Sequence, residues 1–172
     1  MKNVKKILAL VLCFVMILSL TACGTGTVST VSASGALTVT EGKADPAASD
    51  YANDIDGFVS YLKDCELIAG DATDMSADFI GAIKGKQFCF TYSDATVTVE
   101  LYEYDLENLS EKASSYLASA KGGKIEVLGK EVAVTLSESG KFMMIYNIDK
   151  ESEVLSAYAD ELKNNFSLFV GK

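Results

Sequence analysis

A gapless internal match constrains this chain more than any other feature. Gly85-Lys86-Gln87-Phe88-Cys89-Phe90-Thr91-Tyr92-Ser93 recurs as Gly129-Lys130-Glu131-Val132-Ala133-Val134-Thr135-Leu136-Ser137, 44 residues later. The match continues through Tyr102 and Tyr146, Asp105 and Asp149, and Glu107 and Glu151, so that seven of the 23 positions from 85 to 107 are identical. The pattern reads as a duplicated strand–turn–strand–helix unit. Coincidence is the alternative, and superposition of segments 85–121 and 129–165 decides between them.

Each half is physically coherent. Ser93-Asp94-Ala95 and Ser137-Glu138-Ser139-Gly140 are turn-forming breaks between β-prone runs. Val97, Val99 and Leu101 alternate with Thr96, Thr98 and Glu100, the pattern of a half-buried strand. Phe142 to Ile148 is apolar on both sides and suits a strand covered twice. Asp105 and Asp149 stand where helix N-caps belong. Helices are expected over 106–120 and 150–166, burying Leu109, Ala113, Tyr116 and Leu117 in the first and Val154, Leu155, Tyr158 and Leu162 in the second. Between the units, Ile125 to Leu128 suits a short extra strand after the Gly122-Gly123 turn.

Upstream, Asp54 can cap a helix from Ile55 to Ala69, whose apolar positions are Ile55, Phe58, Val59, Leu62 and Cys65. A second short helix is expected from Met75 to Ile83, burying Met75, Phe79 and Ile83. The sum is an α+β domain over 51–172. It is a two-layer fold with an antiparallel sheet of four or five strands, and helices on one face. The other face is then open. Tyr102, Tyr104 and Tyr146 are candidates for an exposed aromatic binding patch on it.

The amino end carries a different message. Lys2, Lys5 and Lys6 precede an apolar run from Ile7 to Leu20, and small residues follow. This is the architecture of an export signal, and the run is short for a membrane span. Leu20-Thr21-Ala22-Cys23 resembles the lipobox of bacterial lipoproteins. The resemblance covers only the leader and the first mature residue. It implies cleavage before Cys23, lipidation of that cysteine, and a body held at the outer face of a cell membrane, in a Gram-positive host by preference. One acyl chain binds a membrane only marginally, whereas two or three make a lasting tether. Residues 23–50 are rich in Thr, Ser, Gly and Ala and read as a flexible stalk, spanning about 30 Å as a random coil.

Charge and composition remove several functions. Apart from the three leader lysines, twelve basic residues, all Lys, face 24 acidic ones. An acidic chain without arginine is poorly suited to nucleic acid. No histidine is present, which excludes Ser-His-Asp and Cys-His catalysis and the usual zinc sites. Ser60-Tyr61-Leu62-Lys63 fits the Ser-x-x-Lys spacing, but its Lys-Thr-Gly partner motif is absent. Asp71, Asp74 and Asp78 are weak calcium candidates, because their spacing is not that of an EF-hand loop. Cys65 and Cys89 are the two cysteines left after the leader and Cys23. A bridge between them is uncertain, because Cys89 alternates away from Phe88 and Phe90.

With no reactive constellation and no cofactor motif, the expected function is a non-enzymatic binding or assembly module. Its partners would be the membrane, through the lipid on Cys23, and an envelope protein or glycan. A carboxylate-dependent envelope hydrolase and a small solute receptor for a transporter are the alternatives.

Overall fold

The computed structural model describes residues 46–172. The leader, Cys23 and the stalk as far as residue 45 lie outside the described residues. The strands are β1 (Thr73–Met75), β2 (Lys84–Tyr92), β3 (Ala95–Glu103), β4 (Lys124–Val127), β5 (Lys130–Ala133), β6 (Thr135–Leu136) and β7 (Phe142–Ile148). The helices are α1 (Ile55–Asp64), α2 (Glu111–Ala120) and α3 (Glu153–Leu168). Five strands form one antiparallel sheet in the order β1-β2-β3-β7-β6, and β4-β5 is a separate hairpin. The architecture is the expected α+β class, with helices packed on an antiparallel sheet.

Strand alternation divides the core. Phe88, Val97, Val99, Leu101, Phe142 and Met144 point to one face, where α1 and α3 cover them. Phe58 of α1 is the centre of that layer. Its ring stacks on Phe169 at 4.2 Å and lies 4.9 Å from Phe142 and 5.1 Å from Phe166. Burying one such side chain contributes about 2–3 kcal/mol. The chain end is fastened beside it, since the Lys172 amide donates to the Tyr51 carbonyl and the Asn53 amide to the Lys172 carbonyl. The packed body thus begins before residue 51: a 3-10 turn spans Ala48–Asp50, and Ala48 and Tyr51 pack on this core. The helix start at Ile55 needs a glycine two residues on, because a Cβ at Gly57 would meet the Ala52 carbonyl oxygen at 2.1 Å.

The expected open face is where the structure departs most from the sequence reading. Tyr102, Met143 and Ile145 point away from α1 and α3, and a second cluster buries them under α2, Ile80 and the β4-β5 hairpin. The covered part is the end of the sheet near Tyr104. Beyond it, Cys89, Thr91, Thr96 and Asn147 remain exposed.

Segment 85–121 folds as ββα, whereas segment 129–165 splits its first strand into β5 and β6, which lie in different sheets, before β7 and α3. Tyr102 faces the α2 side, whereas its counterpart Tyr146 packs against the α1/α3 side. β2 and β6 flank the central antiparallel pair β3-β7 on opposite sides. Viewed from its own helix with its second strand pointing up, each unit therefore has its first strand on the opposite side. The units have opposite hand, so they do not superpose and the repeat reading falls.

Three helix boundaries also differ. α1 stops at Asp64, because Glu66 takes φ 60° and the Leu67 amide donates to the Leu62 carbonyl, a Schellman-type ending. The early stop lets Leu67 and Ile68 enter the core. The expected helix from Met75 to Ile83 does not form. Met75 instead ends an edge strand paired with β2, and a 3-10 turn over Asp78–Ile80 buries Ile80 while leaving Phe79 and Ile83 exposed. α2 starts at Glu111 and α3 at Glu153, with Ser110 and Ser152 as N-caps. Asp105 closes a turn with Glu107 and Asn108, and Asp149 accepts the Thr96 amide. Leu109 and Val154 are exposed as a consequence.

Candidate functional site

The tyrosine patch does not assemble. Tyr102 and Tyr104 are 1% and 0% exposed. Tyr146 lies on the other face, half-buried near Tyr158, and its buried hydroxyl has no hydrogen-bond partner among the described residues. Burial pushes the phenols of Tyr104 and Tyr146 above their ordinary value. Burial does the same at Tyr102, helped by its hydrogen bond to Glu100. These rings are core side chains with a polar end.

The other candidates are also dispersed. Asp71 is exposed, Asp74 pairs with Lys86 at 3.2 Å, and Asp78 accepts from Ser76 at 2.5 Å. Among the described residues no three His, Cys, Asp or Glu side chains converge to hold a metal ion. Cys65 packs on the α1/α3 side and Cys89 is exposed on the far face, so the sheet separates them and no disulfide joins them. Ser60 donates to the Asp56 carbonyl while Lys63 lies over the Phe88 ring. The Ser-x-x-Lys spacing therefore brings no nucleophile to a base.

Two features missed by motif reading are present. The first is an almost buried ion pair. Glu103 Oε1 lies 3.2 Å from Lys141 Nζ, and Glu103 Oε2 accepts the Ile55 amide at 3.1 Å. Lys141 also donates to the Asn53 carbonyl. Both carboxylate oxygens are thus engaged, one of them at the positive end of α1. Glu103 joins the first turn of α1 to the sheet. The signal was legible, since Glu103 continues the inward alternation of Val97, Val99 and Leu101.

The second feature is a groove of about 800 Å³ between α2 and the chain from Val134 to Gly140. That volume falls within the usual range for ligand sites. Leu117 and Val134 form its floor, and Ser114, Ala118 and Lys121 form the helix wall. Leu106 and Leu109, 43% and 39% exposed, close one end. They are left in water because α2 begins late, at its Ser110 cap. On the strand wall, Ser137 is buried, with its hydroxyl 3.0 Å from that of Ser139 and accepting the Phe142 amide. A smaller pocket of about 250 Å³ adjoins at Leu106 and contains Glu103, Asp105 and Glu107. The side-chain amide of Asn108, with backbone amides, holds the Asp105 carboxyl below its ordinary value.

The apolar floor, hydroxyl-bearing walls and charged rim can hold a ligand with an apolar body, while the Ser137 and Ser139 hydroxyls meet each other and the Phe142 and Lys141 amides. Among the described residues no helix is long and apolar enough to cross a membrane. Compared with family models, curated proteins and solved structures, the chain is similar to none.

Proposed function

We propose that this protein is a non-enzymatic binding or assembly module, tethered outside the cell by lipid on Cys23, and that it engages its partner through the groove beside α2. The observation carrying this reading is the pair of exposed leucines, Leu106 and Leu109, at the mouth of a groove with a built apolar floor. Exposed apolar surface with a polar rim is the usual mark of an interaction site.

The test is to fill the groove without disturbing the core. Ser114 and Ala118 are exposed on the groove wall. Ser114→Trp and Ala118→Trp should leave the circular dichroism spectrum and melting temperature nearly unchanged. They should abolish binding of a solvatochromic apolar dye, and reduce crosslinking to envelope components in intact cells at least tenfold. Unchanged dye binding in both variants would move the site elsewhere. The anchor has its own test: mass spectrometry of membrane-extracted protein should show a chain beginning at an acylated Cys23.

A further inference from the structure

We propose that the partner engaged at the groove is a second copy of this chain, docked α2 against α2 and antiparallel about a two-fold axis, with Glu111 of each copy facing Lys121 of the other. The inference rests on the groove being the interaction site, and it goes further by naming the partner and its orientation.

The first argument is the exposed surface of α2. Glu111, Ser114, Ala118 and Lys121 follow one another at spacings of three, four and three residues, which aligns them on one exposed stripe. Ser114, Ala118 and Lys121 of this stripe are also the helix wall of the groove. No charged residue lies between Lys112 and Lys121. Docking on this stretch therefore dehydrates no charge in the middle of the helix. α3 differs, since Asp160, Glu161 and Lys163 stand exposed along it. Packed helices lie about 8–10 Å apart depending on the side chains between them, and serine and alanine allow the short end of that range. The apolar contribution comes from Leu106 and Leu109, exposed just ahead of the helix.

The second argument is charge. Glu111 and Lys121 are exposed, and neither has an ion-pair partner among the described residues. Lys112 is turned away, its amine donating to the Asp78 carbonyl. Asp105, Glu107 and Glu138 stand at the same end of the groove as Glu111. Lys141 is the base at that end, and Glu103 already matches it. Lys121 is at the opposite end, beside Gly123 and Val134. A two-fold axis level with Tyr116 reverses the helix, so it lays each acidic end on the other copy's Lys121, and Ser114 on Ala118. Leu109 then falls over the partner's Gly123, where an added Cβ meets nothing within 4 Å. A parallel pair would set acid against acid. Exposed ion pairs are individually weak, so charge sets the order while apolar contact supplies the affinity. A lipid or small apolar ligand would leave Glu111 and Lys121 unpaired.

α2 has ten residues and is about 15 Å long. A face of that length is at the small end of specific interfaces, so the dimer should be half-dissociated at about 10–100 µM. Sedimentation equilibrium of the full chain in density-matched detergent reads this constant. Glu111→Lys and Lys121→Glu should each weaken the dimer about tenfold, because either reversal turns both symmetric pairs repulsive. An equimolar mixture of the two variants should recover it, and so should the double variant. Ala118→Trp should be monomeric. A dimer indifferent to both reversals overturns the α2 contact. Failure of the mixture to recover overturns the antiparallel order. If the chain stays monomeric at about 1 mM, while the apolar dye binds and is lost in Ala118→Trp, the dimer inference fails and the groove reading survives. If neither a dimer nor dye binding is found, both fail.

Discussion

Glu103 shows how one buried side chain can organise a chain entry. Its carboxylate meets a lysine, a helix amide and almost no water. Removing one partner of such a pair leaves the other uncompensated. Glu103→Ala should cost about 2–4 kcal/mol in urea denaturation, less than for a fully enclosed pair because Lys141 retains some solvent. Leu128 presents the opposite case. It is 98% exposed and holds φ 52° in the two-residue turn between β4 and β5, followed by Gly129 at φ 77°. That turn favours Asn-Gly, and leucine is strained in it. Leu128→Asn should therefore stabilise the protein by about 0.5–1 kcal/mol, read as a raised melting temperature, since no buried contact is lost.

Among the elements, helix starts decide the surface. α2 has an amphipathic pattern that could begin at Leu106, but the Ser110 hydroxyl accepts the Ala113 amide and fixes the first turn there. The turn closed by Asp105 holds the preceding residues out of the helix. Leu106 and Leu109 are thereby turned to the groove instead of the core. Ser110→Ala should cost about 1 kcal/mol and loosen the groove mouth, lowering dye affinity as well as stability. By contrast, Asp54→Ala should cost a similar amount of stability through the Gly57 amide it caps, and leave dye affinity unchanged. The β2-β3 hairpin is fixed locally by Ser93 and Asp94, both at positive φ, in a two-residue turn.

For the whole molecule, the ionisable groups predict a broad pH plateau. There is no histidine, so no side chain with an ordinary pKa near 6.5 titrates in the neutral range. At the acid end, Asp78, Asp105 and Asp149 are held below their ordinary 3.8, chiefly by hydrogen bonds from Ser76, Asn108 and the Thr96 backbone respectively. A depressed folded-state pKa contributes stability above the unfolded value, and that stability is lost as pH falls through the folded value. At the alkaline end, burial pushes Tyr61 up from 10.0 to about 12, and raises Tyr104 and Tyr158 as well. The unfolded chain then releases phenolic protons near pH 10 while the folded chain keeps them. Stability is full below that pH and declines from pH 10 toward 12. Urea midpoints measured from pH 3 to 12 should be flat between 6 and 8 and fall at both ends; a step near 6.5 would contradict the assignment.

The α+β class, the hairpins and the inward sets of β2, β3 and β7 were legible because strand alternation and turn chemistry are local. Residues two apart share a face whatever lies above them. The covering of each face was a tertiary matter. Tyr102 and Tyr146 match in sequence yet sit on opposite sides, because local pattern does not record which side of the sheet a following helix crosses. The groove was illegible for the same reason: its floor joins Leu117 to Val134, and its exposed leucines depend on which serine caps α2. The sequence by itself determined which side chains must leave water. Only the packing of helices across the sheet decided which of them meet, and which are left facing a partner.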